Sequence, residues 1–214
     1  MADEHAEPRR LTRKGQETRR RILATAADLI LKHGVAGTQI EDVRTAAGVS
    51  GSQMTHYFQD KHTLVQEVIA WQAENTLADH RHPALGQLDS FQAWHRWAEM
   101  IVERQTGRGF QGGCEFGSLA GQLVESEPDL RPDLAAGYEQ WLDLFRQGLR
   151  LMHDRGDLVP AADPDALADA LLAALQGGLL LAQTLRRAGP LRDSLQAAVA
   201  HLETFAATPA GPGT

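Results

Sequence analysis

The segment Thr38–Lys61, TQIEDVRTAAGVSGSQMTHYFQDK, decides the fold of this chain. Thr38 followed three residues later by Glu41 matches a capping box, so the segment predicts a helix that begins at Thr38. Gly48 is expected to end this helix, because glycine tolerates the left-handed conformation in which many helices stop. The pattern therefore predicts one short helix followed by a tight turn.

A second short helix is expected directly after the turn. Ser50 and Gln53 form another capping box, and apolar residues recur after them at helical spacing. Asp60 is placed to cap a third helix. Helices this short are not stable alone, so we expect them to pack against a preceding helix at residues 18–33. Together these elements predict a helix-turn-helix.

The positive charge of the chain is concentrated around this motif. Residues 9–61 contain ten Lys or Arg against five Asp or Glu, whereas residues 62–214 contain eleven Arg against twenty Asp or Glu. The formal net charge of −7 for the whole chain hides this asymmetry. One basic end on an acidic protein indicates that this end binds nucleic acid.

The stretch at residues 18–65, TRRRILATAADLILKHGVAGTQIEDVRTAAGVSGSQMTHYFQDKHTLV, resembles the DNA-binding domain of the TetR/AcrR family of bacterial regulators. The similarity includes AGVS at 47–50, the aromatic pair Tyr57–Phe58 and Lys61. The family usually has tyrosine where this chain has Thr55, and that tyrosine commonly touches DNA. The segment GGCEFGSLAGQL at 112–123 is similar to the LmrA/YxaF-like branch of the family.

The resemblance implies that the second short helix reads DNA in the major groove. Gln53 is suited to an adenine edge, and Thr55 to a hydroxyl contact or a thymine methyl group. The family uses the lysine equivalent to Lys61 to hold a phosphate at a helix start, and we expect the same here. The expected DNA-binding residues are Thr38, Ser50, Ser52, Gln53, Thr55, His56, Tyr57 and Lys61. The alternative is that the polar residues only solvate a surface helix.

The rest of the chain has helical patterns throughout, which predicts an all-α fold of about nine helices. The resemblance implies the same fold, with an N-terminal helix-turn-helix domain and a C-terminal helical bundle for ligand binding and dimerisation. The basic residues 9–21 either track the DNA backbone or minor groove, or belong to a solvated tail. The expected segments are a flexible arm at 1–14, the DNA-binding domain at 15–75, the ligand-binding and dimerisation domain at 76–207 and a disordered tail at 208–214.

The sequence LADALLAALQGGLLL at 167–181 is apolar on nearly every side of a helix. Such a helix has to be covered on more than one side. TetR-like proteins commonly dimerise through their last two helices, and a two-fold dimer suits a palindromic operator. The expected homodimer interface is Ala168, Leu172, Gly178, Leu179, Leu195, Val199 and Leu202. The alternative is a helix buried within one subunit.

Aromatic residues concentrate in the middle of the chain, where all four tryptophans lie between residues 71 and 141. The resemblance implies an effector pocket in this region. The expected lining residues are Trp97, Met100, Phe110, Phe116, Trp141 and Phe145. This mostly apolar set favours a small hydrophobic or aromatic effector, and ordinary core packing is the alternative.

The sequence contains no convincing motif for a metal, a cofactor or an enzyme. His80, His82 and His95 lack carboxylate or cysteine partners at ligand spacing, so we expect surface histidines. Cys114 is either a redox sensor at a helix start or, as we expect, a buried unreactive thiol. The single cysteine predicts a reducing cytoplasm, and we expect neither a signal peptide nor an apolar run of ~18 residues that spans a membrane.

These observations lead to one interpretation of function. The chain is expected to be a cytoplasmic, homodimeric repressor that binds a double-stranded DNA operator and is released by a small effector, with no cofactor. A helical small-molecule-binding protein or enzyme with a vestigial DNA-binding end is one alternative, supported only by Thr55. A DNA-associated protein that acts through a protein partner, without an effector, is the other.

Overall fold

The computed structural model describes residues 11–207, and the regular elements of this part of the chain are all helical. Two 3₁₀ turns, Pro83–Leu85 and Pro128–Leu130, supplement the α-helices. The expected all-α fold is confirmed. The N-terminal ten residues of the expected arm and the expected tail at 208–214 lie outside the described residues. The α-helices of the described residues are α1 (Arg13–Gly37), α2 (Ile40–Ala46), α3 (Gly51–Tyr57), α4 (Lys61–His80), α5 (Phe91–Gly107), α6 (Glu115–Leu123), α7 (Arg131–Asp154), α8 (Pro164–Leu185) and α9 (Gly189–Glu203).

The chain forms two compact units, Met1–Trp71 and Gln72–Thr214, and the boundary falls inside α4. The core of the first unit is made by apolar side chains from α1 to α4 that recur at helical spacing. Its fully buried members include Ile22, Ala26, Val43, Met54, Phe58, Leu64 and Val68.

Helix α1 begins earlier than the sequence indicated. The Thr12 hydroxyl accepts a hydrogen bond from the Gly15 N–H at 3.2 Å, which caps a helix that starts at Arg13. The expected flexible arm is therefore wrong for its last residues, and the basic residues from Arg13 to Arg21 belong to a helix. Gly34, at φ 74° and ψ 166°, interrupts the helical conformation, so the regular part of α1 ends at residue 33 as expected.

The core of the second unit contains a cluster of aromatic rings around the last turn of α4. Trp97 on α5 donates its Nε1–H to Nδ1 of His80 at 2.9 Å, and Phe145 on α7 packs edge-on against Trp94 and Trp97. His80 is only 4% exposed, so the expectation of a surface histidine is wrong for this residue. His82 and His95 are exposed, as expected.

Helix α8 packs one face against the subunit, and this overturns the expected dimer interface. All seven residues assigned to that interface are buried within the single chain: Ala168, Leu172, Gly178, Leu179, Leu195, Val199 and Leu202. The physical reason is the close approach of α9 to α8. A Cβ added at Gly178 would lie 2.3 Å from Ser194 Oγ and 3.1 Å from Leu191 Cα. The small residue at 178 therefore serves packing inside one subunit.

One helix of the described residues, α8, is long and apolar enough to cross a membrane by length and composition alone. The sequence indicates no such segment, because Asp169 and Gln176 interrupt the apolar run. Core helices of globular proteins have the same composition, and α8 buries one face among the leucines of its own unit.

Candidate DNA-binding surface and effector cavity

The turn between α2 and α3 has the geometry that the sequence predicted. Gly48 lies in the left-handed region at φ 62°, and Val49 is buried beneath the turn. Ser50 Oγ accepts from the Gln53 N–H at 3.2 Å, while Gln53 Oε1 accepts from the Ser50 N–H at 3.0 Å. This reciprocal pair confirms the predicted capping box. Asp60 is likewise confirmed as a cap, since its Oδ1 accepts from the Thr63 N–H at 2.7 Å.

The start of α2 differs from the prediction. Its N-terminal cap is Gln39, whose N–H donates to Asp42 Oδ2 at 3.0 Å, so the cap assigned to Thr38 is wrong by one residue. Thr38 is buried and its hydroxyl donates to the Gly34 carbonyl at 2.9 Å. Glu41 instead pairs with Arg44 on the same helix. The Thr38 hydroxyl is thus engaged inside the unit and is not presented to a phosphate.

Helix α3 separates its polar and apolar side chains. Met54 is buried on α3, as is Phe58 at its C-terminal cap. The outer side chains are exposed: Ser52, Gln53, Thr55 and His56, with Ser50 at the cap. Thr55 Oγ1 donates to the Gly51 carbonyl at 3.0 Å, which still leaves the hydroxyl oxygen able to accept. This face can present donors and acceptors to base edges in a groove.

Tyr57 and Lys61 lie at the end of α3 and the start of α4. Tyr57 is half-buried, and a Cβ added at Gly15 on α1 would lie 3.3 Å from its hydroxyl oxygen. Lys61 is half-buried and is the first residue of α4. A helix start offers free N–H groups and positive potential to an anion. Hydrogen bonds from Thr63 lower the pKa of the adjacent Asp60 carboxyl.

Basic side chains extend the positive surface along α1. Arg13, Lys14, Arg20 and Arg21 are exposed on this helix. Arg19 has a structural role instead, because it pairs with Glu67 and lies 5.9 Å from the centroid of the Phe58 ring. The first unit therefore carries an exposed polar helix beside exposed basic residues.

The residues expected to line the effector pocket fall into three groups. Trp97 and Phe145 are fully buried in the aromatic core, and Phe116 is fully buried against Tyr138 outside that cluster. Met100 and Phe110 are half-buried against that core. Trp141 lines a cavity of about 330 Å³ within the second unit.

This cavity lies between the C-terminal half of α4, α5, the start of α6, α7 and α8. Its lining is Gln72, Asn75, Thr76, Ala78, Asp79, His80, Ile101, Arg104, Gln105, Gly113, Cys114, Glu115, Trp141, Leu175 and Leu179. Most of these polar residues were not predicted, because no local pattern in the sequence distinguishes them from surface residues. A purely hydrophobic or aromatic effector, which the sequence favoured, would need a mostly apolar lining. The observed lining is more polar than that.

Charged groups at the cavity are arranged as pairs. Arg104 pairs with Asp79, and Arg108 pairs with Glu115 at 2.6 Å. Gln72 donates its Nε2–H to the same Glu115 carboxylate. Burial, and secondarily the charge of Arg104, lowers the pKa of His80 to about 3, so its ring is neutral. The cavity therefore combines matched charges with a neutral imidazole.

Cys114 sits at the start of α6, where its Sγ accepts from the Gly117 N–H at 3.2 Å. Burial raises the pKa of this thiol despite the hydrogen bonds that it accepts. The thiol form is therefore favoured over the thiolate. Cys114 is half-buried, and its lack of reactivity stays a prediction.

A second exposed surface runs along the outer faces of α8 and α9. On α8 the exposed residues recur at intervals of four and three, which places them on one stripe. The stripe on α8 is Ala166, Ala170, Ala173, Gly177, Leu180 and Thr184, and on α9 it is Asp193, Ala197 and Ala200, with Thr204 at the C-terminal cap. Leu180, Leu181 and Leu185 are between 49% and 63% exposed, which is unusual for so many neighbouring leucines.

Comparison with family models matches both parts of the chain. Residues 22–68 match the model described as bacterial regulatory proteins, tetR family. Residues 90–198 match the model described as tetracyclin repressor-like, C-terminal domain.

Curated relatives and solved structures agree with these matches. The chain is 24% identical to the HTH-type transcriptional repressor DhaR of a Mycobacterium species, over 83% of this chain and 88% of the relative. It is 25% identical to the HTH-type transcriptional repressor NemR of Escherichia coli, over 91% of this chain and 96% of the relative. Its fold is similar to a TetR transcriptional regulator from Chloroflexus aurantiacus, with a TM-score of 0.75 and 26% identity over 91% of this chain and 98% of the other. The reduced form of Escherichia coli NemR gives a TM-score of 0.74 at 23% identity, over 90% of this chain and all of the other.

Proposed function

Because the chain belongs to the TetR family of bacterial transcriptional regulators, we propose that it is a homodimeric repressor whose binding to a palindromic DNA operator is controlled by a small effector. Regulators of this family are DNA-binding proteins and not enzymes, which removes the enzyme alternative. Its place of action is the cytoplasm, where it has access to DNA.

The exposed polar face of α3 is the observation that carries this proposal. The tight turn at Gly48 and the capping box at Ser50 hold α3 on the surface of its unit, and Met54 anchors its inner side. Ser52, Gln53 and Thr55 supply base contacts, whereas Ser50, His56, Tyr57 and Lys61 contact the backbone phosphates. Thr55 replaces the usual tyrosine with a shorter side chain, which alters one contact and leaves the rest.

The small-residue stripe of α8 and α9 supports dimerisation. Close approach of two helices requires small side chains at the contact, and alanine and glycine recur on this stripe. The exposed leucines near the end of α8 would be covered by a second copy. Two α8 and two α9 helices would form a four-helix interface, and the two-fold symmetry matches an inverted-repeat operator.

The cavity supports control by an effector. Helix α4 contributes Gln72, Asp79 and His80 to its lining and is continuous with Lys61 in the first unit. An effector that prefers one placement of α4 and an operator that prefers another weaken each other's binding. The alternative, a regulator that acts through a protein partner and binds no effector, does not require a cavity at this position.

The proposal is tested by selecting bound fragments from random and genomic DNA with the purified full-length protein. We expect an inverted repeat with two half-sites. A thermal-shift screen of small molecules should then find stabilisers that reduce operator binding. Fragments without symmetry would refute the dimeric mode, and a screen without any stabiliser would favour the partner-dependent alternative.

Lys61→Ala gives a sharper test of the phosphate role. We expect weaker binding to all DNA sequences and a slope of log affinity against log salt that is shallower by about 1 per subunit, because one counterion fewer is released. Fluorescence anisotropy from 50 to 200 mM salt measures this slope. Lys32→Ala, an exposed lysine on α1, is the matched control. An unchanged slope in Lys61→Ala would remove Lys61 from the phosphate contacts.

A further inference from the structure

Two buried polar atoms at the cavity have no hydrogen-bond partner among residues 11–207. They are the acceptor Oε1 of Gln72 and the donor Nε1–H of Trp141. Both residues line the cavity, and they are 4% and 2% exposed. Most buried polar atoms in proteins are paired, since an unpaired one loses its hydration without compensation. Both atoms have almost no accessible surface of their own, so a bound molecule pairs with them once these two side chains turn towards it. One unmatched acceptor and one unmatched donor on residues of the same lining favour a molecule that supplies both partners.

His80 adds a second donor to the lining. Its Nδ1 accepts the hydrogen bond from Trp97, so the proton of the neutral ring is on Nε2. The lowered pKa of His80 keeps the ring in this single form across the physiological range. Protonation of Nδ1 would remove the acceptor that Trp97 uses.

The charges at the cavity argue against an ionic ligand. The guanidinium of Arg104 pairs with Asp79, and that of Arg108 pairs with Glu115. A carboxylate or phosphate would have to compete with an existing carboxylate for its counter-charge. A cationic ligand would have to displace an arginine in the same way.

We propose that the cavity binds an uncharged small molecule that carries a carbonyl oxygen beside an N–H or O–H group, as amides and lactams do. The carbonyl oxygen accepts from Trp141 and His80, and the N–H or O–H group donates to Gln72 Oε1. Ile101, Leu175 and Leu179 contact the apolar part of the molecule. This inference rests on the proposed effector function and names the chemistry of the effector. The cavity of about 330 Å³ is large enough for an aromatic ring with a short substituent.

Four probes of nearly equal size test separately whether the cavity requires an acceptor, a donor or a charge on its ligand. Benzamide offers both an acceptor and a donor, acetophenone only an acceptor, benzoate a charge, and ethylbenzene neither group. Their dissociation constants are measured by isothermal titration on the full-length protein without DNA. We expect the order benzamide, acetophenone, then ethylbenzene, with benzamide at least about tenfold tighter than ethylbenzene because it makes two or more additional hydrogen bonds. Benzoate should bind no better than acetophenone.

Trp141→Phe removes the donor and keeps an aromatic ring at the cavity. We expect it to weaken benzamide binding about 3- to 10-fold and leave ethylbenzene binding nearly unchanged. Trp94→Phe is the matched control, because Trp94 also has a buried Nε1–H without a partner but is absent from the lining of this cavity. It should leave the affinity of benzamide unchanged.

The outcomes distinguish this inference from the proposed function. The inference is wrong if ethylbenzene or benzoate binds as well as benzamide, if none of the four binds, or if Trp94→Phe and Trp141→Phe have equal effects. In each of these cases sequence-selective operator binding by the same preparation would leave the regulator function intact. Loss of selective DNA binding, by contrast, would refute the proposed function whichever probe binds.

Discussion

The side-chain amide of Gln53 has two ends with different roles. Its Oε1 accepts from the Ser50 N–H and caps α3, so its Nε2 group is the part that can reach a base edge. Gln53→Glu keeps the capping oxygen and removes the donor. We expect the ratio of operator affinity to random-DNA affinity to fall about 2- to 10-fold, as for the loss of one hydrogen bond. Competition binding assays measure this ratio. The new carboxylate repels operator and random DNA alike, so this repulsion cancels in the ratio.

Gln53→Ala is the companion variant, because it removes both the cap and the donor. It should reduce the same ratio and also lower the stability of the first unit by about 0.5–1 kcal/mol, since half of the capping box is lost. A ratio that stays at the wild-type value in Gln53→Glu would show that Gln53 is a cap and does not read a base.

His80 predicts a specific pH dependence of stability. Its pKa is lowered from 6.5 to about 3 in the folded protein, so below pH 6.5 the unfolded chain binds a proton that the folded chain does not. The stability due to neutral His80 is complete above pH 6.5 and is lost progressively as the pH falls towards 3. At pH 5 the loss is about 2 kcal/mol, taking 1.36 kcal/mol for each pH unit.

The measurement compares urea unfolding at pH 7 and pH 5 for wild type and His80→Gln, whose amide can still accept from Trp97. Three of the four tryptophans lie in the second unit, so their fluorescence reports its unfolding. We expect the variant to lose about 2 kcal/mol less than wild type between these pH values. His33→Gln, at an exposed position, should behave like wild type. Equal losses in wild type and His80→Gln would mean that His80 is protonated in the folded state.

Single residues were predicted well where the signal was local. The capping pair Ser50 and Gln53 lies within four positions, and the structure has it as expected. The cap at Thr38 is one residue too early because Asp42, and not Glu41, accepts the backbone hydrogen bond at the start of α2. The burial of His80 depends on Trp97 and on α7, which are distant in sequence, so no local pattern indicated it.

At the scale of elements, α8 shows what a sequence pattern leaves open. A helix that is apolar on nearly every side has to be covered by other elements on more than one side, and the sequence predicted this for α8. The stripe that faces α9 and the stripe that faces outward both contain leucine, alanine and glycine. Only the packing of α9 against Gly178 distinguishes the two stripes. The sequence does not contain this information, so the expected interface was on the stripe that faces α9.

The adjacent glycines Gly177 and Gly178 provide a matched test of the two faces of α8. Gly177→Ala should stabilise the subunit by about 0.5–1 kcal/mol, since alanine favours a helix and no other element of the described part of the chain lies within 4 Å of the added Cβ. Gly178→Ala should destabilise it by about 1–3 kcal/mol, because the added Cβ overlaps Ser194 and crowds Leu191.

Both glycine variants are best compared in an Ala173→Glu background, where a charge on the outer stripe of α8 should prevent dimerisation. Urea unfolding of the monomer then reports only the packing inside the subunit. Two glycine variants with the same sign of effect would contradict the assignment of buried and exposed faces. A sedimentation experiment showing an intact Ala173→Glu dimer would move the subunit interface away from this stripe.

At the scale of the whole molecule, dimerisation should fix the spacing of the DNA half-sites. A rigid two-fold dimer places its two α3 helices at a set distance, which for helix-turn-helix dimers is about one turn of DNA, 10–10.5 base pairs, or a multiple of it. Inserting about 5 base pairs between the half-sites turns one of them to the opposite side of the duplex. We therefore expect this insertion to reduce operator affinity nearly to that of a single half-site.

The Ala173→Glu variant shows whether this spacing effect comes from the dimer. A monomer binds each half-site separately, so its affinity should be weak and insensitive to the insertion. Ala136→Glu adds the same charge at an exposed position on α7, away from the stripe, and should keep the wild-type dependence on spacing. Gel-shift titrations of both operators with all three proteins give the six affinities needed. If wild type tolerated the 5-base-pair insertion as well as the monomeric variant does, the two DNA-binding units would have to move independently, and an effector could not control the operator by setting the distance between them.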